Sequence, residues 1–194
     1  ATGHPSSQSD QSRVIGNLVI DCGRSGINAA YPDTIIANNT IINCDTASPS
    51  DVYAAGIAIG DAQNPTTARP RASITGNIVR NCYNGIVVSD SAVAGVDGSD
   101  YSITGNTVTN NTNVGIYSQA PNVTITGNVC RGNDKNIQIE TTRSTDNLVT
   151  ANCIVDGTTF GILASTTGAG TMIYANTDQN NAANSISADG IPKF

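Results

Sequence analysis

Apolar positions in this chain come in short alternating runs that return in a fixed frame. An aliphatic stands at Val14, Ile36, Ile74, Ile103, Ile125, Val149 and Ile173, and each is followed three residues later by an asparagine: Asn17, Asn39, Asn77, Asn106, Asn128, Asn152 and Asn176. The units read GNLVIDC, NNTIINC, GNIVRNC, GNTVTNN, GNVCRGN, ANCIVDG and ANTDQNN. A second apolar element follows in each: Gly26-Ile27, Gly56-Ile57, Gly85-Ile86, Gly115-Ile116, Asn136-Ile137, Gly161-Ile162, then Ile186. Asparagine spacings of 22, 38, 29, 22, 24 and 24 make 22 to 24 residues one turn of a stacked repeat, with extra length inserted in the longer turns.

The local pattern decides which solenoid this is. Runs such as Ser-Ile-Thr and Gly-Ile-Val-Val are β-branched, alternate with period two and are separated by Gly, Asn, Asp and Thr. No unit has room for a helix of 3.6-residue period. A leucine-rich repeat is excluded because the chain holds only Leu18, Leu148 and Leu163. The expectation is an all-β fold, a right-handed parallel β-helix of about seven turns with three short strands per turn. At a strand spacing of about 4.8 Å, seven turns make a rod roughly 34 Å long.

A tight bend between strands leaves backbone groups unpaired inside the coil, and an inward asparagine satisfies them while its amide bonds the asparagine of the next turn. The seven asparagines are therefore read as an internal ladder. Cys22, Cys44 and Cys82 share one frame position, five residues after the ladder asparagine, and are expected as an inward stack. Five cysteines is an odd number, and a core thiol commonly serves as a small hydrophobe, so cysteine does not decide the compartment.

Composition narrows the partners. The chain has 194 residues and no linker between repeats, which predicts a polar leader at 1–13 and one β-helix domain at 14–194. Nine basic residues against fifteen acidic ones give a net charge of −6, a poor surface for nucleic acid. No run is apolar enough for a transmembrane helix. The remaining surface is rich in Asn, Thr, Ser and Gly, which suits sugars and also keeps a β-rod in solution.

The unit Ile-Thr-Gly-Asn-x-[Val/Ile]-x-Asn-x-x-x-Gly-Ile, clear at 74–86, 103–116 and 125–137, resembles the repeat of the pectate-lyase-like superfamily of parallel β-helices. That group holds polysaccharide lyases, polygalacturonases, alginate epimerases and phage tailspikes. The resemblance covers Arg13 to Ile186 and implies a fold; by association it implies binding or cleavage of polysaccharide, outside the cell or on a virion surface. Because chemistry is grafted onto such coils, function has to be sought in individual residues. The Asp-Pro-His of epimerases and the Asn-x-Asp with paired aspartates of polygalacturonases are absent, and the only histidine, His4, sits in the leader.

Insertions at 45–55, 58–72 and 87–100 concentrate other candidates. Loops leaving successive turns are expected to be neighbours, which would gather Asp51, Tyr53, Asp61, Arg69, Arg71, Asp90, Asp97 and Asp100. A hydrolase would use two carboxylates across the glycosidic bond, with Asp61 and Asp90 the leading pair and Asp51 a third candidate. A lyase would use Tyr53, Arg69 or Arg71 as base and uronate neutraliser, and Asp97 and Asp100 would contact substrate. No metal or cofactor is expected, although Asp-Gly-Ser-Asp at 97–100 offers oxygen ligands to Ca²⁺ without EF-hand spacing. The alternative is a non-catalytic adhesive rod. The leader has no apolar stripe to cap the first coil, which predicts either a piece of a longer β-helix or a subunit, such as one of a trimer, capped by neighbours.

Overall fold

The computed structural model describes residues 12–29, 33–44, 54–60, 71–89, 100–140, 146–165 and 170–183. These form a parallel β-solenoid. The first turn is β1 (Arg13–Ile15), β2 (Leu18–Ile20) and β3 (Ile27–Ala29), and the second is β4 (Thr34–Ala37), β5 (Thr40–Ile42) and β6 (Ala55–Ile59). The third comprises β7 (Arg71–Thr75), β8 (Ile78–Arg80) and β9 (Asn84–Ser89), and the fourth β10 (Asp100–Thr104), β11 (Thr107–Thr109) and β12 (Val114–Gln119). Turn five is β13 (Val123–Thr126), β14 (Val129–Arg131) and β15 (Lys135–Glu140); turn six is β16 (Leu148–Thr150), β17 (Cys153–Val155) and β18 (Phe160–Ser165). β19 (Met172–Tyr174) and β20 (Thr177–Gln179) begin a seventh. The strands stack into three sheets of seven, seven and six, so the described residues hold six complete turns and part of another.

Each coil turns on residues that tolerate a left-handed backbone. Between first-sheet and second-sheet strands, Gly16, Asn38, Gly76, Gly105, Gly127, Ala151 and Ala175 all have φ between 53° and 72°. After the second-sheet strands the same conformation falls on Asp21, Asn43, Asn81, Asn110, Gly132, Asp156 and Asn180. Gly, Asn and Asp are the residues that adopt it at least cost, which is why they punctuate the repeat. Ala151 and Ala175 adopt it without that advantage.

The core is a set of aliphatic columns. Ile36, Ile74, Ile103, Ile125 and Val149 stack from the first sheet, Ile41, Val79, Val108, Cys130 and Ile154 from the second, and Ile57, Ile86, Ile116 and Ile137 from the third, all of them fully buried. The asparagine ladder runs beside them as expected. Each ladder Asn from Asn17 to Asn152 donates its backbone N–H and its side-chain amide to the Oδ1 of the next, at 2.9–3.0 Å throughout. The amides also reach carbonyls of the preceding turn, such as Asn106 Nδ2 to Ile74 O at 2.9 Å.

A second amide column occupies the frame position of the cysteines. Cys82 N–H donates to Asn111 Oδ1 and Asn111 N–H to Asn133 Oδ1, both at 2.9 Å. Gly157 has no side chain to continue it, and Asn136 fills the gap, accepting from Asn133 at 2.8 Å and donating to Asn181 at 3.0 Å. Cys44 and Cys82 are fully buried in the same position of earlier turns, while Cys22 is partly buried and packs against the core. Burial pushes the Cys44 thiol up to about 11, and burial also raises that of Cys130.

Candidate functional site

Where the insertions leave the coil decides which of them share a site. The segments 61–70 and 90–99 both connect a third-sheet strand to the next first-sheet strand, β6 to β7 and β9 to β10. The segment 45–53 instead connects β5 to β6, so its ends lie at the other edge of the third sheet. A strand of five residues spans about 17 Å, so the three insertions do not leave from one corner as expected. They are also shorter than expected: residues 55, 58–59, 71–72, 87–89 and 100 belong to strands. Asp51, Tyr53, Asp61, Arg69, Asp90 and Asp97 lie outside the described residues. Arg71 and Asp100 are described, and both belong to the corner shared by the two later insertions.

Those two residues are register partners at the start of β7 and β10. Arg71 Nη2 lies 2.8 Å from Asp33 Oδ2, one turn earlier. Asp33, Arg71 and Asp100 all stand three residues before a core isoleucine, and that shared frame position would have singled out Asp33 in the sequence as well. Together they form an acid, base, acid row along the corner. Side-chain exposures of 55% for Arg71 and 32% for Asp33 make their pair worth about 0–1 kcal/mol, too little to explain it as a stability device. Its geometric effect is to hold the guanidinium fork in one orientation while leaving donors toward solvent.

The row borders a groove of about 460 Å³ lined by Arg13, Asp33, Thr34, Ile35, Arg71, Ala72, Ser73 and Asp100. Ala72 and Thr34 are buried in its floor, so charged groups stand at the rim of a partly apolar concavity, a form typical of small-ligand sites. From the groove the outer face of the first sheet continues as two hydroxyl columns. Ser73, Ser102 and Thr124 align in one, and Thr75, Thr104, Thr126 and Thr150 in the other. Within a turn the columns are linked, Ser73 Oγ to Thr75 Oγ1 at 3.2 Å and Ser102 Oγ to Thr104 Oγ1 at 3.1 Å. Strand alternation produces this: Ile74, Ile103 and Ile125 point inward, so their hydroxyl neighbours point out.

Two of the described tyrosines are turned into the protein and offer no ring for stacking. Tyr101 is buried and its hydroxyl donates to Ser89 O at 3.1 Å, and Tyr117 is buried with Ala55, Ala58, Val87 and Val114 in a small cluster of its own. No group of three or more His, Cys, Asp or Glu side chains capable of holding a metal exists among the described residues. The described sulfur donors are concentrated in the early turns, with Cys22, Cys44 and Cys82 on successive rungs.

No curated protein and no solved structure matches this chain. Residues 7–191 match the family described as periplasmic copper-binding protein (NosD), a span that takes in every described strand. The chain belongs to the NosD family.

Proposed function

We propose that this protein is a polysaccharide-binding β-solenoid that works outside the cytoplasm, with the groove of Arg13, Asp33, Arg71 and Asp100 as its specificity site. The carrying observation is the Asp33, Arg71, Asp100 row opening directly onto two columns of hydroxyls repeated at the rung spacing. Sugars are recognised by planar donor and acceptor groups that engage adjacent hydroxyls in pairs, and a polymer is best met by a surface that repeats. A mixed-sign rim suits neutral or weakly charged glycans. The description of the family as periplasmic supports the location.

The described part of the site favours binding over bond cleavage. Asp33 is engaged by Arg71, so the groove does not present the two free carboxylates that acid and base catalysis of glycoside hydrolysis requires. The hydrolase and lyase readings rest on Asp61, Asp90 and Asp51, which lie outside the described residues. A polysaccharide array followed by calorimetry tests the proposal. Arg71→Ala and Asp100→Asn are expected to weaken the best glycan about tenfold each, the loss of one charged hydrogen bond. Unchanged affinity in both variants would remove the groove from the account.

A second reading, copper binding, is favoured by the description of the family as copper-binding. The donor types decide what this chain offers such an ion. No group of three or more His, Cys, Asp or Glu side chains gathers among the described residues; the sulfur of Cys22, Cys44 and Cys82 is the donor type that favours Cu(I).

A further inference from the structure

We infer that the groove takes a glycan carrying both a carboxylate and an acyl substituent, with the carboxylate on Arg13, the acyl methyl on Ile35 and Ala72, and sugar donors on Asp100. This rests on the polysaccharide reading of the same groove and names its substrate class.

Pairing inside the groove leaves two charges over. Arg71 and Asp33 neutralise each other at 2.8 Å, whereas Arg13 and Asp100 have no ion pair among the described residues. These two stand at opposite ends of the groove. Register runs from Arg13 to Ile35 to Ser73 to Ser102, and Asp100 lies on the last of those rungs, so three rungs separate the charges, roughly 14 Å along the rod. One end donates and the other accepts, which gives a bound chain a direction. Asp100 takes hydroxyl or amide N–H donors, which every common sugar offers. Arg13 is the selective end, because a guanidinium fork meets a carboxylate in two parallel hydrogen bonds. The chain carries a net charge of −6 and Asp100 shares the groove, so a singly charged carboxylate is better tolerated than a phosphate monoester of about −1.5 to −2.

Between the two ends the lining is aliphatic. Ile35 follows Arg13 on the next rung and is half-buried, and Ala72 lies buried on the rung after that. No aromatic ring lines the groove for a sugar face to lie on. A branched aliphatic beside an alanine fits a methyl group instead, and burying that methyl takes apolar surface of both partners out of water. The two contacts are one and two rungs from Arg13, about 5–10 Å, which is the separation of substituents on neighbouring sugars of a chain. An unsubstituted neutral polysaccharide leaves both Arg13 and this aliphatic floor facing hydroxyls.

The test is calorimetry of the full chain with hyaluronan and chondroitin hexasaccharides, in which an N-acetylated sugar alternates with a uronate. Each is supplied intact, carboxyl-reduced, and with N-formyl in place of N-acetyl; cellohexaose and mannohexaose serve as neutral, unacylated controls. The intact forms are expected to bind best. Carboxyl reduction should weaken binding about tenfold, the loss of a charged hydrogen bond, and the formyl exchange about fourfold, the loss of one buried methyl. Arg13→Gln should bind intact and carboxyl-reduced forms alike, and Ile35→Thr should bind acetyl and formyl forms alike, with circular dichroism confirming the coil in each. Equal wild-type affinity for either matched pair, a tenfold preference that survives Arg13→Gln, or tighter binding of the neutral controls overturns the inference while glycan binding stands. Binding of no glycan at all overturns the polysaccharide reading with it.

Discussion

Removing one rung of the ladder measures how much of the coil depends on it. Asn106 donates its N–H and Nδ2 to Asn128 Oδ1 and its Nδ2 to Ile74 O and Thr104 O, and its Oδ1 accepts from Asn77 N–H at 2.9 Å and Asn77 Nδ2 at 3.0 Å. Asn106→Ala takes the acceptor away from a buried backbone N–H, a loss of about 1–3 kcal/mol, while Asn77 Nδ2 keeps its bonds to Ile36 O and Thr75 O. The cavity left by the amide adds to this, so about 2–4 kcal/mol is expected. Asn17 is the contrast. Its N–H and Nδ2 donate to Asn39 Oδ1, and among the described residues no backbone N–H donates to its own Oδ1, so Asn17→Ala orphans no described backbone donor and should cost under about 1 kcal/mol. Urea unfolding of the wild type and both variants supplies the comparison. Equal midpoint shifts for Asn17→Ala and Asn106→Ala would refute the claim that rung-to-rung acceptance, rather than the amide's local bonds, holds the corner.

Other outcomes follow from single residues. Ala151→Gly removes a left-handed alanine that costs about 1–2 kcal/mol, partly offset by the freer unfolded glycine, and should raise the urea midpoint; a lowered midpoint would contradict the corner assignment. Burial acts to raise the Asp134 pKa, but hydrogen bonds from Lys135, Thr159 and Thr158 outweigh it and the net shift is downward. Its stabilisation is therefore present above the unfolded value of about 3.9 and lost as pH falls through the lower folded value, so Asp134→Asn should flatten the acid limb of a stability-versus-pH curve. Burial raises Cys44 to about 11, so folding should weaken as pH climbs from about 8.5 toward that value. With a thiol reagent at pH 8, Cys22 and Cys153 should label first, and Cys44, Cys82 and Cys130 only on unfolding; prompt labelling of all five would overturn the burial pattern.

The coil was legible in the sequence because its demands fall on few residue types. The left-handed corner selects Gly, Asn or Asp, and the inward rung needs a side chain that both donates and accepts, so the frame from Asn17 to Asn176 could be read without coordinates. The second column was not legible as a ladder, because cysteine holds its first three rungs and Gly157 breaks it. Asn136 repairs that break from a position where other turns have glycine, an exchange visible only when the two are seen side by side. The site was legible in part. Arg71 and Asp100 were found through the insertions, whereas Asp33 leads into β4, where the sequence carries no insertion, and has to be found by frame position. The misplaced insertion at 45–53 was readable in principle: it precedes the Gly-Ile element of its turn, while the other two follow theirs.

The most direct measurement is backbone amide NMR of the labelled protein titrated with the best-binding oligosaccharide. Glycan recognition at the groove predicts saturable shifts at Arg13, Asp33, Arg71, Ser73 and Asp100, continuing to Ser102 and Thr104, with the outer face of the second sheet unmoved. Shifts confined to the second sheet, or none at a glycan concentration that saturates the array signal, would contradict it.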